Sequence, residues 1–427
     1  MVLNYIWLAF FLIAFVIAAL KAVIEGDMSL FPSLVEAMFD NAKKGFEISL
    51  GLTGAMALWM GLLNIGEQSG LIGVVARWVT PFFAKLFPEV PAGHPVMGAM
   101  LMNFSANMLG LDNAATPLGL KAMQGLQTLN PEKETASNAQ IMFLVINTAG
   151  LTLIPVSVMA LRLQAGSANP SDVFLPSLIG TSVSAISGII IVSLWQRINL
   201  LNWVVLGVLG IFCALLAGLV TLLAGMPEEQ LSKVSAGASS LILLVIVVSI
   251  LTYGMRKGLN VYDHFIDGAK QAFETAVKII PYILAMLVAI GVFRASGALD
   301  YVLQGFAFVA GSLGLDTGFV NALPTGLMKP FSGGGARGLM VEAMKTYGPD
   351  SFTGRLVCVL QGSTETTFYV LAVYFGSVGI KRTRYAATAG LLVDLIGIIA
   401  AIYLGYLFFG SLAGLAVSAP IPTSLPH

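Results

Sequence analysis

Charged side chains are scarce in this chain of 427 residues: they make up 10% of it, 22 acidic against 22 basic, and the formal net charge is zero. Soluble domains carry about a quarter charged residues, so a water-soluble fold is excluded. With no basic stripe, nucleic-acid binding is excluded as well. Cysteine is nearly absent. Cys213 and Cys358 both lie in apolar runs, which supports neither a disulfide framework nor a thiolate metal site. The three histidines, His94, His264 and His427, are scattered without metal-ligand spacing. There is no HExxH, no nucleophile elbow and no GxxxxGKS/T loop, so neither an enzyme, a resident cofactor nor an ATP-driven machine is expected.

What is abundant is apolar sequence: 57% of residues are hydrophobic, and mean hydropathy is +0.87. Runs of about 20 residues, the length that crosses a bilayer, recur at 3–22, 46–66, 138–163, 171–196, 200–225, 236–256, 275–293, 354–379 and 384–411. The expectation is therefore an all-helical, multi-pass protein of the cell (inner) membrane with about nine transmembrane helices. The first run has no basic leader and reads as a retained span. Arg197, Arg256, Lys257, Lys381, Arg382 and Arg384 all fall on one side, which the positive-inside rule makes cytoplasmic. That puts the N-terminus inside and the C-terminus outside, although Lys21, Lys43, Lys44 and Arg162 fall on the other side.

An internal repeat organises these spans. "DNAKKGFE" (40–47) matches "DGAKQAFE" (267–274) without a gap, and Ser69-Gly70 matches Ser296-Gly297 at the same separation of 227 residues. Each half reads as two spans, an interrupted region and two more spans. The division is 1–196 for the first copy, 197–227 for a linking helix and 228–427 for the second. Five spans separate equivalent points, an odd number, so the second copy is expected upside down. Inverted repeats of this kind are common in secondary transporters, with substrate bound near the midplane between the copies.

The interrupted regions are "HPVMGAMLMNFSANMLGLDNAATPLGLKAM" and "FVNALPTGLMKPFSGGGARGLMVEAM". In each, apolar legs too short to span the membrane flank a polar break, at 111–117 and at 330–337. Such a segment is either a re-entrant hairpin, tolerated where protein or a water-filled cavity surrounds it, or an external loop with surface helices. In the re-entrant reading, Asn113 and Thr116 line the first tip. Ser332, Gly333, Gly334 and Arg337 line the second, with a helix starting after Gly335 and aiming its positive end at a ligand.

Polar residues also punctuate the spans that follow. In "VCVLQGSTETTFYVLAVYFGSVG", Gln361, Glu365 and Tyr369 stand at i, i+4 and i+8 of one helical face, flanked by Ser363 and Thr364. An ionisable group at membrane depth marks a functional site by default. Glu365 is thus either a working carboxylate or one half of an ion pair with Arg337 or Arg294. The matching stretch "LVINTAGLTLIPVS" offers Asn147, Thr148 and Thr152, and Pro155 frees the carbonyl of Leu151. With Asn107 these form either a site for a desolvated cation or a kinked core helix. Asp394 lies mid-span, protonated or paired.

The same motifs carry a family resemblance. Residues 1–196 resemble spore maturation protein A through "ALWMGLLNIGEQSGLI", "LFPEVPAGHP", "NAATPLGLKAM" and "INTAGLTLIP". Residues of about 236–411 resemble spore maturation protein B through "KPFSGGGARGLM" and "YGPDSFTGRLVCVLQGSTETTFYVLAVYFGSVGIKRTRYA". Both families carry the nucleoside-recognition or gate domain, similar to hairpin-bearing regions of concentrative nucleoside transporters and ferrous iron transporters. The resemblance implies a hairpin bundle, fused here from two usually separate chains. The iron transporters' GTPase domain is missing.

These readings converge on a secondary transporter or exporter of a small polar solute, coupled to a Na+ or H+ gradient, in contact with lipid and assembled as a homodimer. The rival reading is a non-transporting membrane module that scaffolds cell-envelope or spore-maturation processes.

Overall fold

Long apolar stretches punctuated by glycine, serine and proline should fold as helices that stop abruptly. The computed structural model describes residues 2–24, 26, 28–91, 93–108, 112–224 and 228–417, and among them every element is helical. The one exception is a bridge between Thr135 and Arg382. The chain is a multi-pass membrane bundle. Trp7–Ile24, Phe174–Gln196, Phe352–Ser377 and Ala386–Gly410 are long and apolar enough to cross a bilayer, and the bent pair Leu287–Ala295 and Ala298–Ser312 makes a further crossing if taken as one span.

Several positions 227 residues apart take matching conformations. Helix α1 (Val2–Ile24) leads to the long α2 (Leu30–Gln68) and then α3 (Leu71–Leu86). In the second half α10 (Glu228–Arg256) leads to the long α11 (Val261–Ala295) and then α12 (Ala298–Ser312). Both long helices end on the same turn: Gly70 and Gly297 sit in the left-handed region at φ 79° and 80°. A side chain is strained there, so glycine is the residue that fits. The Ser69 and Ser296 hydroxyls bond back to Gly66 and Phe293.

α2 and α11 pack along each other in opposite directions. Asn64 lies over Gly268 and Asn41 over Gly291, two contacts that the repeat interchanges. A Cβ on either glycine would collide with the opposing helix, which is why the helices approach closely. The Asn64 amide donates to the His264 carbonyl at 2.6 Å, so Asn64 holds this crossing together.

Two helical hairpins follow. The first is α4 (Pro95–Met108) with α5 (Asp112–Leu129), and the second is α13 (Leu323–Met328) with α14 (Gly333–Tyr347). The first tip is shorter than the expected 111–117, because α5 already begins at Asp112; residue 111 lies outside the described residues. The second is tighter than 330–337 for a similar reason. Ser332 caps α14 by accepting from the Gly335 N–H at 2.9 Å, so the helix starts at Gly333 and not after Gly335.

The expected continuous helices at 138–163 and 354–379 are each broken. The first is α6 (Asn138–Ala149) and α7 (Val156–Gln164); the second is α15 (Phe352–Ser363) and α16 (Thr367–Ser377). Each begins on a serine cap, Ser137 accepting from Gln140 and Ser351 from Gly354, a feature worth about 1 kcal/mol. Each stops thirteen residues later, at Gly150 in the left-handed region (φ 61°) and at Thr364 in an extended conformation. Behind them stand α8 (Phe174–Gln196) and α17 (Ala386–Val417). Helix α9 (Trp203–Ala224) joins the halves, with Trp203, Ile211 and Leu215 exposed on its surface, as lipid contact requires.

The two broken helices run in opposite directions. At one end, the loop before α6 meets the loop after α16: the Ala136 N–H donates to Arg382 O, and the Lys381 and Arg382 N–H groups donate to Glu134 O, each at 2.9 Å. At the other, the loop after α7 meets the loop before α15 through Arg162, which is fully buried. It contacts Asp172 at 2.8 Å and Asp350 at 2.9 Å and donates to the Pro349 carbonyl at 2.7 Å. Arg355 closes the group on Asp172 at 2.7 Å.

The cores are exchanged accordingly. Phe143, Leu144 and the first hairpin pack with Val370, Leu371 and Phe375 of α16. Leu161 and Met159 of α7 pack with Met340, Phe352 and Leu356 of the second half. Phe143 and Phe352 are fully buried, and in a bilayer it is close packing, not exclusion of water, that holds such side chains together.

Candidate functional site

A broken helix leaves main-chain N–H and C=O groups without intrahelical partners, and at membrane depth each must find another. Here the breaks find the hairpins and each other. The Leu153 N–H donates to Met108 O at 2.7 Å, tying the first break to the end of α4 at the first hairpin tip. The Phe368 N–H donates to Pro330 O at 3.0 Å, tying the second break to the second tip. Between them, the Glu365 N–H donates to Thr148 O at 2.8 Å. Three main-chain bonds thus run tip to break to break to tip.

Gly150 makes the crossing possible. A Cβ there would lie 2.7 Å from Glu365 Cγ and 3.1 Å from its nitrogen. Gly333 is similarly placed against Thr366, with a Cβ 2.8 Å from the hydroxyl. The glycines of the second tip therefore serve close packing as well as turning.

Glu365 does not stand on a helical face with Gln361 and Tyr369. Thr364 and Thr366 on either side of it are extended, so the i, i+4, i+8 spacing runs across a break and has no spatial meaning. The Glu365 side chain is half-buried, Gln361 is buried with Oε1 unpartnered, and Tyr369 is exposed. Neither expected ion pair of Glu365 forms. Among the described residues Arg337 makes no salt bridge, and its Nε is buried without a hydrogen-bond partner. Arg294 pairs with Glu342 at 3.2 Å. Glu365 therefore enters the crossing as a carboxylate with no cationic partner within salt-bridge distance among the described residues.

The first break brings together most of its expected residues. Asn107 donates to Asn147 Oδ1 at 2.8 Å, and Asn147 Nδ2 caps the Phe143 carbonyl at 2.8 Å. Thr148 is fully buried with its hydroxyl unpartnered. The Thr152 hydroxyl turns back to the Gly150 carbonyl at 2.9 Å, which leaves it structural. The carbonyl of Leu151 is freed by the helix ending at Gly150, five residues before Pro155, and not by the proline alone. Ser363 bonds its own Leu360 carbonyl. Thr116 is half-buried on α5. Asn113 lies in the first turn of α5, and its side chain is outside the described residues.

Two participants, Tyr374 and Lys329, escaped the sequence reading. Tyr374 of α16 donates to Asn147 Oδ1 at 3.3 Å and accepts from Asn103 at 3.4 Å, while Asn103 also reaches the Ala115 carbonyl across the hairpin. A tyrosine in an apolar run reads as core; only its position ten residues beyond the polar break hints otherwise. Lys329, buried in the second tip, lies close enough to Asp394 for its charge to act there. Asp394 itself is buried and accepts from the Thr367 hydroxyl at 2.6 Å. It sits on a stripe of α17 between Gly390, which faces Thr148 and Thr367, and Gly397, which faces Thr364 and Ser184.

An all-helical membrane bundle with two hairpins and two crossing breaks is thus the class of protein the geometry defines. The family model described as Gate, nucleoside recognition, matches residues 49–164 and 276–381, and the chain belongs to that family. It is 43% identical over 188 residues to spore maturation protein A of Bacillus subtilis (strain 168), a match covering 44% of this chain and 92% of the relative. It is 47% identical over 167 residues to spore maturation protein B of the same organism, covering 39% and 92%. No solved structure matches the chain.

Proposed function

We propose that this protein is a secondary transporter of a small polar solute, bound where the two hairpin tips and the two helix breaks converge. The observation that carries the reading is the run of main-chain bonds from Met108 through Thr148 and Glu365 to Pro330. A structural core has no need of four interrupted elements at one point, whereas a solute site needs unwound backbone with free polar groups. In this reading the halves are inverted repeats and the hairpins re-entrant. What supports the inversion is the opposed direction of α6–α7 and α15–α16. The bundle sits in the inner membrane with its N-terminus cytoplasmic.

The solute class follows from the groups left over. The Glu365 carboxylate suits sugar hydroxyls, which donate to it. Gln361 Oε1 and the Thr148 hydroxyl offer hydrogen bonds to a base edge. That set fits a nucleoside, in keeping with the description of the Gate family. Arg337, with an unpartnered Nε, and the N–H groups of Gly333 and Gly334 at the start of α14, which the Ser332 cap does not take, extend the range to solutes carrying a phosphate or carboxylate.

The test is uptake of radiolabelled nucleosides and nucleoside monophosphates into liposomes holding the purified full chain. Saturable accumulation of one member, weakened by Glu365→Gln in a variant that still folds, is the expected result. Failure of every member to accumulate or bind overturns the solute class. A second reading, a membrane module serving envelope processes without transport, draws on the relatives' names, which speak of spore maturation. It requires a dry crossing.

A further inference from the structure

Asp394 is the one acidic residue of α17, and it is buried to 2% exposure. Its Oδ2 accepts from the Thr367 hydroxyl at 2.6 Å, the Thr364 hydroxyl also acts on the carboxylate, and Oδ1 is buried without a hydrogen bond among the described residues. A carboxylate in that state is costly unless a charge compensates it or a proton neutralises it. The charged groups that act on it are Lys329 of the second tip and Glu365 of the second break. The other elements packed on α17 add little. Helices α6 and α8 have no ionisable side chain; α15 has Arg355, which lies over Phe409 about four turns away, and Cys358, a buried thiol that bonds the Gly354 carbonyl. Helix α16 brings Tyr369 and Tyr374. Helix α10 carries Glu228, Glu229, Lys233, Tyr253 and Arg256 towards its ends.

We infer that Asp394 is a proton-exchange site whose occupancy is set by the position of the second hairpin tip, and that the coupling ion is H+. The proton comes from water reaching the crossing and lands on Oδ1, the oxygen without a hydrogen bond among the described residues. The bond from Thr367 to Oδ2 survives, and Lys329 keeps its own proton throughout. Pro330, next to Lys329, is bonded to Phe368 of the break that carries Thr367, so tip, lysine and carboxylate are mechanically joined. With the tip in place the Lys329 ammonium favours the carboxylate. When the tip withdraws, the buried carboxylate loses that support and takes up a proton. Bound solute and bound proton are then alternatives. This purpose rests on the transport reading; the site itself does not.

The experiment reads the proton directly, by infrared difference spectroscopy of the full chain in liposomes. The range from about pH 5 to pH 9 lies above the point where exposed carboxyls are already ionised. The expected result is a protonated-acid carbonyl band that titrates within this range, is lost in Asp394→Asn and is retained in Glu365→Gln. Lys329→Met should raise its midpoint by about one pH unit or more. Thr367→Val should shift the band, which keeps the test alive should Asp394→Asn fail to fold. A spectrum without a titrating band, or one unmoved by Asp394→Asn, or by both Lys329→Met and Thr367→Val, overturns the assignment. A titrating Asp394 in a protein that moves no solute sustains the site and counts against transport. Proton-independent solute transport without the band does the reverse.

Discussion

Glu365 and Thr148 are 217 positions apart in sequence and joined by one main-chain hydrogen bond of 2.8 Å. The bond couples the two halves where each broken helix stops and its main-chain groups need outside partners. It also places a carboxylate, the side chain most costly in an apolar medium, at the crossing. Among the described residues no salt bridge to Glu365 is seen, and a role for it in binding is part of the proposed function.

Gly150 is the most sensitive backbone position of the crossing. In Gly150→Ala the left-handed conformation costs about 1–2 kcal/mol, and the methyl group also pushes against Glu365. Thermal unfolding in detergent should show a clear fall in midpoint, and solute binding should weaken with it. Unchanged stability and binding would mean that the halves do not meet here.

The buried ionic group around Arg162 ties the loops at one end. Removing its charge in Arg162→Leu leaves Asp172 and Asp350 with Arg355 as their shared cation and should destabilise the bundle by about 3 kcal/mol. A variant as stable as the wild type refutes this.

Asp350 should respond to pH. Burial pushes its carboxyl up, but hydrogen bonds from Ser167 and Ala168 and the charges of Arg162 and Arg355 outweigh it and hold the carboxyl below its usual value. A folded value below the unfolded one stabilises the protein above the ordinary carboxylate range near pH 4. That contribution is lost as pH falls through the folded value. Asp350→Asn should therefore be less stable than the wild type at neutral pH, with the gap closing towards acid. A gap constant with pH contradicts the assignment.

The opposed broken helices make a topological prediction. In a Cys213→Ser background, Lys133→Cys and Arg382→Cys should react with an impermeant thiol reagent from one face of the membrane. Ala168→Cys and Lys345→Cys should react from the other. Cys358 is buried and stays silent. Labelling of all four from the same face removes the inverted arrangement.

Composition made the all-helical membrane bundle legible, and the Ser-Gly turns made the repeat so, because a left-handed residue leaves its mark in sequence. The hairpins were legible from polar breaks between short apolar legs. The broken helices were not. Leu151, Leu153 and Ile154 keep the first break as apolar as a helix, and hydropathy does not register hydrogen-bond direction. In the second, the spacing of Gln361, Glu365 and Tyr369 imitates a helical face. A usable signal was present in the matched serine caps, since Asn147 and Gln361 each lie ten residues after Ser137 and Ser351. The ionic group was beyond reach, its members being scattered from Arg162 to Arg355.

Water and solute should reach the crossing of the two breaks. Reactivity of Glu365→Cys, again with Cys213→Ser, towards a water-soluble thiol reagent in sealed vesicles of both orientations tests it most directly. The account predicts modification through water, slowed by a bound nucleoside-type solute. A residue 365 thiol that reacts only with lipid-soluble reagents, or with none, would contradict it.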